Sequence, residues 1–261
     1  MVHLGVIGTG NMGSAIVRGI KKGGLEVKIF AFDKDAVKLN ALPVAACADE
    51  KEVVRRGRYV LLAVKPQLLG GVLETIKDEV TADTVFISIC AGVSAEFIRS
   101  HTLPSAKVIL VMPNTPMMLG YGASAIARSE NVTEEEFSFA CSVFSCCGIA
   151  EEIPMDKMKE IICINGSSPA FIYLFAKGFL DHAAESGIAP DAALRLFSAS
   201  LIGAAKMLTE SDMTADQLIR QVSSPGGTTV AGLEKLYEGD FLGDIVSACK
   251  ACTKRAYELG G

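Results

Sequence analysis

The sequence predicts an α/β chain, with an N-terminal parallel-sheet domain over residues 1–154 followed by an all-helical domain over residues 155–261. Three observations predict it. Up to Pro154, short continuous apolar runs alternate with helical stretches, the pattern of parallel strands covered on both faces. Beyond Pro154 the strand-like runs stop and the spacing of apolar residues is helical throughout. A glycine-rich segment, Gly8-Thr9-Gly10-Asn11-Met12-Gly13, follows the first apolar run and opens the first helical stretch.

Taken in order, the strand candidates of the first part are Val2–Ile7, Val27–Phe32, Tyr59–Val64, Thr84–Ile89 and Lys107–Met112. Helical spacing lies between them near Met12–Lys22, Ala36–Leu42, Lys51–Arg56, Leu68–Val80 and Ala95–His101. Gly122–Ala127 and Gly148–Ile153 read as further strands flanking a helix over Glu134–Ser145. In the second part, Met155–Ile164, Pro169–Ser186, Pro190–Thr209, Ala215–Val222, Thr228–Glu238 and Phe241–Leu259 all read as helices. Their punctuation is regular: Gly187 stands before Pro190-Asp191, and Thr214 stands ahead of Ala215-Asp216 as an N-cap. Small residues from Ala192 to Ala205 permit close approach of another helix.

Half of the 261 residues are hydrophobic, enough for a substantial core without staples. Lys plus Arg number 25 against 30 Asp plus Glu, and no basic stripe appears, so neither nucleic acid nor an anionic membrane is expected as partner. The first residues lack the basic region of a secretory signal. The longest apolar tract, Ile161 to Phe179, is broken by Asn165, Gly166, Ser167, Ser168, Pro169 and Lys177, and reads as a buried helix rather than a membrane span. Cys47, Cys90, Cys141, Cys146, Cys147, Cys163, Cys249 and Cys252 sit mostly among apolar residues, as free core thiols of a cytoplasmic protein do.

The glycine-rich segment carries the first chemistry. In a strand–turn–helix unit of the Rossmann type, Gly8 permits the tight turn, Gly10 lets backbone approach a pyrophosphate and Gly13 lets the helix pack on the strand. Asp33 ends the second strand, 20 residues past Gly13, where an acid meets the adenine-side ribose. Its carboxylate favours the free 2′-hydroxyl of NADH; adjacent Lys34 offsets part of its repulsion of a 2′-phosphate or is simply a solvated loop charge, so NADH and NADPH both stay open. A second glycine-rich loop, Ser223-Ser224-Pro225-Gly226-Gly227-Thr228-Thr229, opens another helix. Helix starts present unpaired N–H groups and a positive dipole end, so this one suits a small carboxylate.

These loops, together with Ala63-Val64-Lys65-Pro66-Gln67, Met112-Pro113-Asn114-Thr115-Pro116 and Gly166-Ser167-Ser168-Pro169-Ala170-Phe171, resemble the pyrroline-5-carboxylate reductase family in order and spacing over nearly the whole chain. The Ser-Ser-Pro-Gly-Gly-x-Thr segment is the most specific of them. The resemblance implies reduction of 1-pyrroline-5-carboxylate to L-proline with NADPH or NADH, the last step of proline synthesis. It also implies a helical C-terminal domain that forms a homodimer, with dimers often assembling into rings. By the same resemblance Ala63, Val64, Lys65 and Pro66 lie along the cofactor, Ile89, Cys90 and Ala91 pass near the nicotinamide, and Ser224, Gly227, Thr228 and Thr229 form the substrate loop. Lys65 can equally be a backbone-positioning residue with a solvated amine.

Reducing a cyclic imine needs a hydride donor, a proton at the ring nitrogen and a hold on the acid group, and none of these needs a metal. Thr229 is the expected partner of the nitrogen, and Gly227 and Thr228 N–H with the Ser224 hydroxyl the expected hold on the carboxylate. The chain departs from the family at Met155 and Lys159, where acidic residues are common, in the Ala48-Asp49-Glu50 region, and at Ser168, Phe171 and Gln221. These departures keep two alternatives open: a related reductase of another cyclic imine or small acid, and a dinucleotide-binding regulator without turnover. Cys249-Lys250-Ala251-Cys252 has redox spacing but sits in a helical pattern and reads as core or interface thiols. Cys90 reads as packing, with oxidation sensitivity if it is accessible.

Overall fold

The computed structural model describes residues 1–259. Its first compact unit runs from Met1 to Pro169 and includes the chain end from Ala251; its second spans Ala170–Lys250. The strand pattern does end just before Pro154, since the last strand closes at Glu152.

The first unit is built on one eight-stranded sheet: β1 (Val2–Ile7), β2 (Val27–Phe32), β3 (Ala45–Ala46), β4 (Tyr59–Leu62), β5 (Val85–Ser88), β6 (Lys107–Met112), β7 (Gly122–Arg128) and β8 (Gly148–Glu152), in the spatial order β3-β2-β1-β4-β5-β6-β7-β8. Neighbours are parallel except β6 and β7, which run antiparallel with Leu110 opposite Ala127. The parallel sheet expected from the sequence is present, with one reversal of direction at that pair. The chain leaves β1 toward β2 on one side and returns to β4 on the other, which opens a crevice at the carboxyl ends of β1 and β4.

Helices α1 (Asn11–Lys22), α2 (Ala36–Asn40), α3 (Glu50–Arg56), α4 (Pro66–Ile76), α5 (Ala95–His101) and α6 (Glu134–Ser145) cover the sheet. Alternate strand residues feed two cores. Leu4, Val6 and Leu61 pack with Ile16, Val17 and Ile20 of α1 and Phe137 and Phe144 of α6. Ile7, Val60 and Leu62 pack with Val53 of α3, Leu69, Leu73 and Ile76 of α4 and Ile98 of α5. Burial on both faces is why these strands read as unbroken apolar runs.

The helix expected over Met155–Ile164 is a 3-10 turn at Met155–Lys157 followed by a π-helical turn at Ile162–Ser167. Then come α7 (Ser168–Glu185), α8 (Pro190–Glu210), α9 (Ala215–Gln221), α10 (Thr228–Glu238) and α11 (Phe241–Leu259). The tract expected to be buried is open in the single chain: Ile164, Ile172, Leu174 and Phe179 are all exposed. Apolar content records that a surface needs cover, not that the same chain supplies it. Helix α8 is long and apolar enough to cross a membrane by length and composition, and none of its residues is buried. Within the second unit, Phe179 stacks on Phe197 with ring centres 4.7 Å apart, and Phe175 meets Phe179 edge-on and Phe197 at a tilt.

The expectation of eight free thiols holds for Cys47, Cys90, Cys141, Cys146, Cys147 and Cys252. It fails at Cys163 and Cys249, neither of which is a free thiol.

Candidate functional site

Among the helices whose N-caps are described, two begin differently from the rest. Side chains cap α2 (Asp35), α3 (Asp49), α5 (Ser94), α6 (Thr133) and α9 (Thr214), satisfying N–H groups that have no intrahelical acceptor. Helices α4 and α8 open on proline, which lacks the first N–H. Helices α1 and α10 instead open on Gly10 and Gly227 with no capping side chain. Both are long enough to carry an appreciable dipole, and both leave first-turn donors for a ligand.

At α1 the three glycines do different work. Gly8 holds a φ of +99°, and a methyl there would stand 2.6 Å from the Ala63 carbonyl oxygen. A methyl at Gly13 would stand 2.2 Å from the Gly8 oxygen, so this glycine sets how closely the helix meets its own turn. Gly10 has nothing within 4 Å on its Cβ side, open space in front of the N–H groups of Asn11, Met12 and Gly13. The cradle therefore fits a dinucleotide pyrophosphate. It is hooked to the end of β2, where the Gly8 N–H donates to the Phe32 carbonyl at 2.9 Å.

Asp33 accepts three hydrogen bonds from within the chain. Its Oδ2 accepts from the Thr9 N–H at 2.5 Å and the Thr9 hydroxyl at 3.0 Å, and its Oδ1 accepts from the Asp35 N–H at 2.8 Å. The carboxylate is turned onto the cradle. Lys34 beside it is exposed.

The loops after β4 and β5 complete this end of the sheet. The Ala63 N–H donates to the Ile7 carbonyl at 2.9 Å, which seats Ala63-Val64 across the crevice from Gly8. Lys65 is exposed and stands as N-cap residue ahead of Pro66. The Ile89 N–H donates to the Leu62 carbonyl at 3.1 Å. The Cys90 thiol donates to the Val64 carbonyl at 3.3 Å, tying the loop after β5 to the loop after β4. Burial pushes this thiol up to about 11, against smaller lowering by Ser88 and the Val64 carbonyl. Cys90 is thus a packed, protonated sulfur, while Ala91 next to it is exposed.

Beside Cys90 and Ala91 lies a cleft of about 620 Å³, with Met112, Met155, Lys159 and Tyr257 also on its wall. Two departures from the family pattern, Met155 and Lys159, therefore share this wall. The Lys159 ammonium lies 4.6 Å from the centre of the Tyr257 ring, and the Tyr257 hydroxyl donates to Glu160 at 2.6 Å.

Sequence reasoning gave no role to Asn114 and Asn165. Asn165, in the π-helical turn, donates from Nδ2 to the Met112 carbonyl at 2.6 Å and the Ala123 carbonyl at 3.0 Å. Asn114 accepts from the Ala123 N–H at 2.9 Å. Asparagine in an apolar stretch, with its donors unclaimed by any local turn, was the available signal.

The second cradle belongs to the helical unit. Gly226 takes a φ of +70°, and a methyl on Gly227 would stand 2.7 Å from the Ser224 hydroxyl oxygen. The Gly227 N–H closes the turn onto the Ser224 carbonyl at 2.9 Å. That bond engages the Gly227 N–H, while the N–H groups of Thr228 and Thr229 open α10 without an intrahelical acceptor. Ser224, Thr228 and Thr229 are exposed. Gln221 ends α9 and is exposed, while the Ser168 hydroxyl folds back onto the Ile164 carbonyl at 2.6 Å.

Comparison with known proteins covers both parts of the chain. Residues 3–92 match the family model described as NADP oxidoreductase, coenzyme F420-dependent, and residues 155–259 match pyrroline-5-carboxylate reductase dimerisation. The pyrroline-5-carboxylate reductase of Methanosarcina acetivorans is 35% identical over 98% of this chain and 97% of its own. Pyrroline-5-carboxylate reductase 3 of Xenopus laevis is also 35% identical, over 98% and 96%. The crystal structure of Plasmodium falciparum pyrroline carboxylate reductase with NADP bound superimposes with a TM-score of 0.90 at 28% identity, covering 100% of this chain and 98% of that one. With likeness running through nearly the whole chain, the chain belongs to the pyrroline-5-carboxylate reductase family.

Proposed function

We infer that the protein reduces 1-pyrroline-5-carboxylate to L-proline with NADPH or NADH. The observation that carries this is the pair of uncapped glycine-led helix starts, one shaped for a pyrophosphate and the other for a small carboxylate. The residues that would hold the dinucleotide are Gly8, Thr9, Gly10, Asn11, Met12 and Gly13, with Ala63–Pro66 and Ile89–Ala91 alongside. When bound, the reduced nicotinamide supplies a hydride for the carbon of the C=N bond.

The chain's own residues do the rest. The N–H groups of Thr228 and Thr229 and the Ser224 hydroxyl hold the substrate carboxylate, on a turn kept rigid by the Gly227–Ser224 bond. Thr229 places its hydroxyl at the ring nitrogen, where it orients and relays a proton. A hydroxyl is a poor free acid, so the proton itself comes from solution, on the iminium or through water. That proton stays on nitrogen in the product amine. Positioning dominates the rate, and well-held reactants gain up to about 7–11 kcal/mol.

Residues 155–259 form the dimerisation region. The exposed apolar side of α7 and α8 fits a second copy of the chain as cover, in a homodimer or a ring of dimers. Helix α8 carries Arg195 and Lys206 and a run of small residues from Ala192 to Ala205, which suits close helix packing better than a bilayer. We place the enzyme in the cytoplasm, without membrane or nucleic-acid partner. A second reading, a reductase of another cyclic imine, is favoured by Met155 and Lys159 on the cleft wall.

The test is purified protein with 1-pyrroline-5-carboxylate and either cofactor, following both cofactor oxidation and proline. Stoichiometric loss of cofactor and gain of proline is expected. Turnover only with other imines would establish the second reading, and cofactor binding without turnover on any imine would leave a regulator.

A further inference from the structure

The spacing of Asp33 casts it as the acid that reads the adenine-side ribose, and on that basis its charge would favour NADH. The contacts around it point elsewhere. A carboxylate offers about four lone-pair positions. Here Oδ2 accepts both the Thr9 N–H and the Thr9 hydroxyl, and Oδ1 accepts the Asp35 N–H. Oδ2 has both positions taken and Oδ1 one, so a two-pronged grip on vicinal ribose hydroxyls is closed and a single position remains. Freeing Oδ2 would strand the donors of Thr9, which is only 2% exposed and has no water to turn to.

The same contacts do something useful where they are. Gly8 is hooked to the Phe32 carbonyl and Thr9 to Asp33, so two successive residues of the turn are pinned to the end of β2. Gly10, the next residue, is the one with open space before it. We propose that Asp33 is a positioning residue that clamps the pyrophosphate cradle through Thr9, and that it does not choose between NADH and NADPH. This rests on reading the chain as an NAD(P)H-dependent reductase.

The clamp and the ribose reader predict different ratios. Binding of NADH and NADPH to the full-length protein is measured by nicotinamide fluorescence, without imine, for the parent, Asp33→Ala and Thr9→Val. Asp33→Ala should weaken both cofactors at least fivefold, with their affinity ratio moving by less than tenfold. A smaller loss for either cofactor, or a ratio change of tenfold or more, overturns the clamp. Thr9→Val keeps the amide and the buried volume and serves if Asp33→Ala does not fold. It should weaken both cofactors in parallel, and a tenfold ratio change there overturns the clamp too. Hydrogen exchange in the cofactor-free parent gives a readout independent of binding: the Thr9 amide should be protected, and exchange at the rate of an open amide overturns the proposal. A parent that binds neither cofactor removes the reductase reading and the clamp together, whereas a changed ratio removes only the clamp.

Discussion

Asn114 donates from Nδ2 to the main-chain carbonyl of Asn165, 3.0 Å away and 51 residues later in the chain. With the two bonds that Asn165 sends back to Met112 and Ala123, the pair knots the ends of β6 and β7 to the π-helical turn that leads into α7. Both side chains are more than nine-tenths buried, so each donor lost leaves a carbonyl without water. Asn165→Ala should therefore cost about 1–3 kcal/mol, read as a lower urea midpoint. A midpoint equal to the parent's would mean that the knot carries no stability.

Glu136 predicts how stability responds to acid. Its carboxylate is fully buried, 2.7 Å from both the Arg58 and Lys107 nitrogens, and it accepts the Thr133 N–H at 2.9 Å in the capping box of α6. Burial pushes this carboxyl up, but the bonds from Lys107, Thr133 and Arg58 outweigh it and hold it below the ordinary carboxylate range. A carboxyl lowered on folding contributes stability above its unfolded value of about 4.3, and loses that contribution as pH falls through the lower folded value. Unfolding free energy should accordingly decline below about pH 4.3. Glu136→Gln should flatten that decline and cost about 2 kcal/mol at neutral pH, less than the ~3–5 of a fully buried pair because Arg58 reaches solvent. Parallel acid titrations of parent and variant by circular dichroism decide it, and identical slopes would remove Glu136 as a source.

Much of this was legible in the residues, and the remainder shows what periodicity leaves out. β1, β2 and β6 end where their apolar runs end, because burial on both faces writes itself directly into composition. Ala45–Ala46 is too short to show a period, and the reversal at β6–β7 is invisible because an apolar run carries no direction. The π-helical turn was hidden because its cause lies far away, in the carbonyls of Met112 and Ala123. The glycine positions were readable as φ and close-approach requirements. Spacing put Asp33 at the right place, but could not say that Thr9 would take its carboxylate first. Cover for α7 was unreadable for a similar reason, since sequence records the apolar surface and not the body that meets it.

Gly10 and Gly13 separate folding from binding within one turn. A methyl at Gly13 meets the Gly8 oxygen at 2.2 Å, so Gly13→Ala must shift backbone and should both destabilise the protein and weaken both cofactors. A methyl at Gly10 meets nothing within 4 Å, so Gly10→Ala should melt within about 2 °C of the parent, less than a 1 kcal/mol change produces in a domain this size. It would still project toward a bound pyrophosphate and should weaken both cofactors at least tenfold. Thermal melts beside fluorescence titrations test the contrast, and an intact affinity in Gly10→Ala would place the dinucleotide elsewhere.

Thr229 is the sharpest test of the chemistry, because its loss should leave the scaffold untouched. It stands in the exposed first turn of α10, where alanine is the better helix former, so Thr229→Ala should not destabilise the helix. The turn that presents it is closed by Gly227 and Ser224 main-chain atoms, which the substitution leaves alone. What is lost is the hydroxyl assigned to the ring nitrogen, and general acid–base help of this kind is worth about 10²–10⁴-fold. Turnover with 1-pyrroline-5-carboxylate should fall by about 10²-fold, the low end because solution supplies the proton. Cofactor affinity should stay within about twofold, since the dinucleotide is assigned to the other cradle. Thr229→Ser restores the oxygen and should recover most of the rate, which separates chemistry from packing of the lost methyl. Full turnover in Thr229→Ala would leave substrate-derived iminium as the sole proton source and reduce Thr229 to a residue of the helix start.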